Sequence, residues 1–485
     1  MKKLIFVSAI LCMSLLTVAQ TPFDALRFSM LGFGGTARSM GAAGAFGALG
    51  ADFSTLSTNP AGIGLYRASE LTFSPSLHYA NAYATYNGMG REDEKFNLNI
   101  ANAGIVFAMG SDDNTQSKWK RVQFGFGMNR LANFHNNVII EGDNLHTSIV
   151  NEYQEMADGI HPEDLNRFNT WLAWDTYLLA DTVRDPNGRL RYTSAVPSGG
   201  VGQSKYIETT GAINEMVLTF GGNYDDRLYI GGTVGFPTLN FREDATYREV
   251  DIEDSIPGFR SLAVEDYVHT TGSGINFKLG IIARPTDWVR IGAAVHSPTF
   301  FNLRDAYGRT MRHTVTSNGA SNTYVTNSPR GSFDYTLRTP LRANVNLGVL
   351  IRQYGFIGID YEFVDYSDAR FRARGDNFSE VNHDIRSTYK GASNIRVGGE
   401  LNLNPFRLRA GYALYGSPYK DNLNDFEKRS LAFGMGFRDQ NYFMDFAFVM
   451  TSYDEDYFMY SPHLVNAAFI ENHITSVIMT LGFRF

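Results

Sequence analysis

From Glu70 to its end the chain alternates apolar and polar residues with a period of two, in one segment after another. The last segment is the clearest. Val477, Met479, Leu481, Phe483 and Phe485 share one face, and Ile478, Thr480, Gly482 and Arg484 share the other, as strict alternation requires of a strand. Tyr442, Met444, Phe446, Phe448 and Met450 repeat the pattern opposite Asp445 and Ala447. Leu341, Ala343, Val345, Leu347, Val349 and Ile351 oppose Arg342, Asn344, Asn346 and Arg352. Ile395, Val397, Leu401 and Leu403 oppose Asn394, Arg396, Glu400 and Asn402.

A soluble sandwich also alternates, but its apolar face packs on a second sheet. Two features favour a membrane barrel instead. The segments are about ten residues long, as a tilted membrane strand requires, and the connections alternate between short and long. The pattern predicts strands at 69–84, 96–109, 121–131, 214–224, 227–236, 273–284, 288–297, 340–352, 355–364, 393–403, 406–415, 429–438, 441–451 and 474–485. These are about 14 strands, an even number as in single-chain bacterial barrels. The second is ambiguous in register, as a bulge would make it. Tight polar turns fall at Asp225-Asp226, Pro285-Thr286-Asp287, Gln353-Tyr354, Asn404-Pro405 and Asp439-Gln440. Long connections span 132–213, 237–272, 298–339, 365–392 and 452–473. The fold class is therefore an all-β membrane protein, an antiparallel transmembrane β-barrel. Both termini lie on its short-turn, periplasmic side and the long loops face outside.

The longest connection, 132–213, has structure of its own. Pro162-Glu163-Asp164 predicts a helix start. Leu165, Phe168, Leu172, Tyr177 and Leu179 follow near helical spacing, with Trp171 and Trp174 among them, and 149–158 predicts a second short helix. These aromatics form a small lid core, an apolar groove at the outer mouth, or both.

Ahead of the strands, Gly32 to Tyr66 is built from Gly, Ala, Ser and Thr and ends near Asn59-Pro60-Ala61-Gly62. With few large side chains to bury it is a poor independent domain, and it makes sense as a plug enclosed by the barrel. Asp24 to Met30 predicts one or two helical turns. Pro60 fixes φ and lacks an N–H, so it ends pairing and holds a turn; Asn59 can bond its own neighbouring backbone. Gly32, Gly34 and Ala37 mimic a dinucleotide fingerprint by chance, since no parallel strand–helix unit surrounds them. The inward charges Arg290, Arg342, Arg396, Arg407, Arg409 and Arg438 are expected to pair with Asp360, Glu362, Glu400 and Asp445 or to anchor the plug, and one Arg could hold a ligand carboxylate.

Composition adds the address. Lys2, Lys3, the apolar run Leu4–Leu16 and Thr17-Val18-Ala19 predict a signal peptide over 1–19. The division is then 1–19 signal peptide, 20–68 hatch and 69–485 barrel. No later apolar run reaches the roughly twenty residues of a membrane helix, yet 14% of residues are aromatic, 36 Phe and 26 Tyr. The only cysteine, Cys12, lies in the signal, so the exported chain is expected to hold no disulfide, thiolate metal site or cysteine nucleophile. A net charge of -7 without basic runs argues against a nucleic-acid partner. There is no Gly-x-Ser-x-Gly, His-Glu-x-x-His or phosphate loop, so no enzyme and no cofactor or metal is expected. His135, His146 and His161 read as solvated loop histidines, and Arg91-Glu92-Asp93-Glu94 as a solvated loop tip.

Gly32-Phe33-Gly34-Gly35-Thr36-Ala37-Arg38-Ser39-Met40-Gly41, the small-residue run to Ala51-Asp52, and Ser57-Thr58-Asn59-Pro60-Ala61-Gly62 resemble the amino-terminal hatch of the FadL/TodX family of outer-membrane transporters of hydrophobic compounds. Asn59, Pro60 and Ala61 match that family's Asn-Pro-Ala triplet. The family's fourteen strands, its helical extracellular loop after the third strand and its terminal aromatic, here Phe485, match as well. The glycine-rich plug and long loops resemble the version common in Bacteroidetes, whose relatives include haemin receptors and barrels that serve in protein secretion.

The resemblance implies passive uptake of hydrophobic compounds such as long-chain fatty acids. The ligand would pass through an apolar lumen pocket gated by the hatch at Asn59, Pro60, Ala61 and Gly62, and leave sideways into the bilayer. Phe23, Phe33, Phe46, Phe53, Trp171, Trp174 and Tyr177 are the candidate ligand contacts, and Phe483 and Phe485 the carboxyl-terminal assembly signal. The implied partners are a hydrophobic small molecule, outer-membrane lipid and the barrel-assembly machinery. The alternative is a non-transporting barrel that docks a partner or serves secretion, or a haem-binding receptor.

Overall fold

The computed structural model describes residues 20–485 except 111–116, 187, 198, 318, 377, 421–423 and 425 and the side chains of 180 and 181; the expected signal peptide at 1–19 lies outside the described residues. The period-two segments form the strands β1 (Glu70–Tyr86), β2 (Met89–Gly110), β3 (Trp119–Asn133), β4 (Val201–Tyr224), β5 (Leu228–Asp251), β6 (Phe259–Thr286), β7 (Val289–His296), β8 (Arg342–Ile351), β9 (Gly355–Asp365), β10 (Gly391–Leu403), β11 (Phe406–Tyr415), β12 (Lys428–Arg438), β13 (Tyr442–Tyr457) and β14 (Ala468–Arg484). Each pairs antiparallel with the next, and β14 pairs back on β1 in the register Glu70↔Arg484 to Thr85↔Phe469. The ring has no edge, so the ladder satisfies the backbone without water.

The outward faces carry the apolar sets read from the sequence: Phe73, Leu279, Val345, Phe446 and Phe448 are all exposed. Such a density of bare aliphatic and aromatic side chains suits acyl chains, not water. The inward positions between them, Arg342, Asn346, Arg396, Asp445 and Thr480, are buried. The ambiguity of the second strand is a bulge: Ser74 faces Asn102 and Pro75 faces Ile100, leaving Ala101 unmatched.

The connections on the long-loop side differ from expectation. β5 and β6 run to 24 and 28 residues, so 237–272 is mostly sheet. Part of 132–213 is sheet as well, with Asn136–Asn144 pairing the outer half of β4. In 298–339, Phe300–Ser317 and Gly331–Arg338 continue β7 and β8 past the breaks at Pro298 and Pro340. The sequence hides these extensions because the alternation inverts above the bilayer. Leu239, Phe241 and Tyr247 face inward and are buried, while Asn240, Arg242 and Arg248 face outward. β1 and β2 likewise rise to a tight turn at Asn87-Gly88, both at positive φ (45 and 84). Arg91–Glu94 are therefore strand residues, not a loop tip, and Arg91 pairs Glu141 at 2.5 Å.

Within 132–213, the 149–158 helix forms as Ile149–Ala157. The single helix expected from Pro162 does not. Pro162–Asp164 is one 3-10 turn, Thr170–Asp175 a short helix, and Leu179–Arg184 a strand paired with Leu190–Ser194. Asn166 and Asn169 cause the break: their side chains accept the Phe168 N–H at 2.8 Å and the Thr170 N–H, turning the backbone out of helix. Ile149, Val150, Tyr153 and Leu172 pack with Ala82, Tyr86, Val264 and Met311 of the surrounding walls, so this segment caps the barrel with a core of its own.

Residues 20–68 lie against the inward faces of the strands. Helix Pro22–Ser29, opened by a Thr21/Asp24 capping box, sits among Phe241, Leu337 and Ile385. Helix Ala37–Gly41 meets β11 to β14, and the 3-10 helix Pro60–Leu65 meets β3 to β6. Wall glycines make this approach possible. A Cβ on Gly231 would stand 2.1 Å from the Pro60 carbonyl oxygen, and one on Gly398 2.2 Å from that of Ala42.

Candidate functional site

The inner floor of the lumen is set by Asn59-Pro60. Pro60 opens the 3-10 helix at its first position, and Asn59 caps it, its Oδ1 accepting the Ala61 N–H at 3.2 Å. The Asn59 amide then donates to the Gly47 carbonyl at 2.8 Å and to Asn346 Oδ1 on β8 at 3.1 Å. The inward charges fasten the same segment. Arg342 pairs Glu362 at 2.9 Å and donates to the Ser29 carbonyl; Arg290 donates to the Leu49 carbonyl at 2.7 Å. Asp360 accepts the Gly47 N–H at 3.0 Å. Arg409 bridges Glu400 and Asp445, each at 2.7 Å.

Toward the outer mouth the filling is incomplete. A cavity of about 830 Å³ opens between the first turns of the lumen segment and the walls of β1, β3 and β11 to β14. Its aromatic lining includes Phe23, Phe33, Phe134, Phe241, Phe426 and Tyr453. Phe23 meets Phe426 edge-on at 6.4 Å, Phe134 meets Phe241 at 5.3 Å, and Phe33 stacks on Tyr415, whose hydroxyl accepts the Phe33 N–H at 3.0 Å. Two cations reach this space. Arg27 lies over Phe241 and is neutralised by Asp24 at 3.1 Å and Glu243 at 3.3 Å. Lys428 lies over Tyr453 at 4.2 Å and Phe426 at 4.8 Å, and among the described residues no carboxylate is within ion-pairing distance of it. Among the described residues, no three His, Cys, Asp or Glu side chains are placed to hold a metal ion.

Solved structures share this architecture. A Pseudomonas aeruginosa FadL homologue aligns with a TM-score of 0.55 at 13% identity, over 94% of this chain and 100% of that one. The Pseudomonas putida toluene transporter TodX aligns with a TM-score of 0.52 at 12% identity, over 94% and 99%. The Ralstonia pickettii toluene transporter TbuX aligns at 0.50 and 16%, over 94% and 100%. The fold is that of the FadL-type barrels. No protein-family model and no curated protein sequence matches the chain.

In this FadL-type barrel the aromatics singled out from the sequence separate into three places. Phe23 and Phe33 line the cavity. Phe46 packs on Phe356 at 5.3 Å under Arg38, and Phe53 packs with Leu56 and Ile63; both are buried in the contact between segment and wall, away from the cavity. Trp171, Trp174 and Tyr177 belong to the outer cap, where Trp174 meets Tyr192 at 5.5 Å and Tyr177 meets Tyr324 at 4.7 Å. His135 lines the cavity instead of standing in solvent, while His146 and His161 sit in the cap. Phe485 pairs its backbone with Ser69 at 3.1 Å in both directions, and Phe483 faces outward. Sequence reasoning missed Arg27, Phe134, Phe426, Lys428 and Tyr453. Phe426-x-Lys428 lies at the end of a connection that carries no alternation, and only its aromatic-plus-cation content could have marked it.

Proposed function

We propose that this barrel is an outer-membrane channel for passive uptake of hydrophobic compounds, holding its ligand in the cavity between the wall and the first turns of the 20–68 segment, which serves as the hatch. The observation that carries the reading is the cavity itself. Between the segment and the wall about 830 Å³ is left open, its lining rich in aromatic rings with charged residues among them, within the size range of small-molecule sites. The FadL-type fold, shared with the toluene transporters TodX and TbuX, supports it. Lys428, with no carboxylate within ion-pairing distance among the described residues, fits an amphiphile with an acidic head, such as a long-chain fatty acid. Burial of its tail would contribute ~0.8 kcal/mol per methylene. A sideways exit into the bilayer would preserve that gain, which crossing a wet lumen would forfeit.

The test is uptake by cells with and without the gene, using radiolabelled oleate and toluene, together with displacement of a fluorescent fatty acid from the purified barrel. Faster uptake and saturable displacement are expected. Uptake independent of the gene for both compounds, with no displacement, would overturn the reading in favour of a barrel that docks a partner.

A further inference from the structure

We propose that the outward wall over β7 to β9, just above the apolar belt, is a seat for a phosphorylated lipid headgroup of the outer leaflet. Three aligned rungs carry the argument. In the first, Phe300, Arg338 and Arg370 face one another across three neighbouring strands. In the second stand Asn302, Thr336 and Arg372; in the third, Arg304 and Asp334, with Arg374 in the turn that follows the short strand Arg370–Arg372. Phe300, Leu341 and Phe363, exposed on the outer wall, mark the end of the acyl region here. Each rung then climbs about 5 Å along a tilted strand, so the arginines occupy the headgroup layer.

The wall carries a shallow, open depression at this place. A hollow of about 580 Å³ is lined by Asn302, Arg304, Asp334, Thr336, Arg372 and Arg374. Its charge is unbalanced. Asp334 is engaged by Arg304 through two contacts of 2.6 and 2.9 Å. Among the described residues Arg338, Arg372 and Arg374 form no ion pair, although all three are exposed. Elsewhere on the outer wall Arg242 and Arg312 each pair with an acid. Two arginines directly opposite on one face, Arg338 and Arg370, repel, and Arg370 turns its guanidinium to the Ser367 and Ala369 carbonyls. An anion bound between the rungs removes that repulsion, and the planar guanidinium forks match phosphate oxygens. A lipid supplies such an anion at this height and places its chains on Phe300 and Leu341.

The inference rests on the outer-membrane orientation proposed above and not on transport, so a barrel that moves no hydrophobic compound would still bind the lipid. The experiment uses the purified full-length barrel in neutral-lipid nanodiscs and native mass spectrometry. The probes are diphosphoryl lipid A, lipid A stripped of phosphate, and inorganic phosphate. Retention of the diphosphoryl form is expected, with half-saturation raised about 10- to 100-fold in R338Q/R372Q/R374Q and unchanged in R242Q. Unaltered heat-modifiable mobility on gels shows that each variant is folded. Equal binding of the stripped lipid, equal binding by the triple variant, or displacement by inorganic phosphate at the lipid's own concentration would overturn the proposal.

Discussion

The Asn59 side-chain amide on the lumen segment donates to Asn346 on β8 at 3.1 Å, while its oxygen caps Ala61. One side chain thus closes a local turn and ties it to the wall. Asn59→Leu leaves Asn346 and the Gly47 carbonyl without a donor in a buried place, a cost of about 1–3 kcal/mol. The expected outcome is a normal barrel with faster proteolytic cleavage within 20–68, read by limited proteolysis and mass spectrometry. Cleavage at the parent rate would contradict it.

Gly231 and Gly398 are seats for the lumen segment rather than flexible joints. Gly231→Ala drives a methyl group into the Pro60 carbonyl and is expected to lower stability by about 1–3 kcal/mol and to raise the permeability of liposomes containing the barrel. Gly232→Ala, whose new carbon would meet a flexible Leu279 methyl at 3.3 Å and the Lys278 carbonyl oxygen at an ordinary 3.7 Å, is the control and should do neither.

Arg342 and Glu362 are a buried pair, so Arg342→Leu strands a carboxylate in the lumen and frees the Ser29 carbonyl. The expected loss is about 3–5 kcal/mol in urea unfolding, with much of it recovered in Arg342→Leu/Glu362→Leu. A double variant no better than the single would show that the Ser29 contact, not the ion pair, dominates.

On the proposed reading, Lys428 sorts ligands by charge. Lys428→Met is expected to weaken a fatty acid about tenfold and to leave its alcohol analogue unchanged in fluorescence displacement, whereas Phe426→Ala should weaken both. Equal loss for acid and alcohol in Lys428→Met would refute an ionic role.

The outer cap should loosen as pH rises. Glu152 on the cap helix accepts the Ser461 hydroxyl at 3.0 Å, and burial raises its pKa above the ordinary carboxylate value. A raised folded-state pKa means that its contribution is complete below the unfolded value and is lost as pH climbs through the folded one. Hydrogen exchange over Ile149–Ala157, corrected for intrinsic rate, should therefore accelerate from acid to neutral pH. Glu152→Gln should reduce that dependence, and an unchanged pH profile in the variant would exclude Glu152 as its source.

The membrane portion of the barrel was legible because lipid enforces one rule: apolar out, at every second residue. Val345, Val397, Phe446 and Val477 obey it and lie where alternation put them. Above the bilayer the rule reverses, and Leu239 and Phe241 turn inward around the helix Pro22–Ser29, so outward alternation alone does not mark the strand ends there. The inward charges were read as mutual partners and anchors, and Arg342, Arg290 and Arg409 show why: charges away from water need partners. The cavity was only partly legible. Phe23 and Phe33 carry no mark separating them from Phe46 and Phe53, since the difference lies in which wall each meets, a contact hundreds of residues away in the chain.

The ring closes where Glu70 meets Arg484 at 2.9 Å, and the covalent link from the lumen segment enters the wall at the same place, beside the Ser69–Phe485 backbone pair. The lumen segment is thus tethered at the seam of the ring. Any swing of the segment that keeps the cylinder whole must pivot about Arg67–Ser69 and load the junction between first and last strands, so a covalent staple across Glu70 and Arg484 would stiffen segment and hoop together.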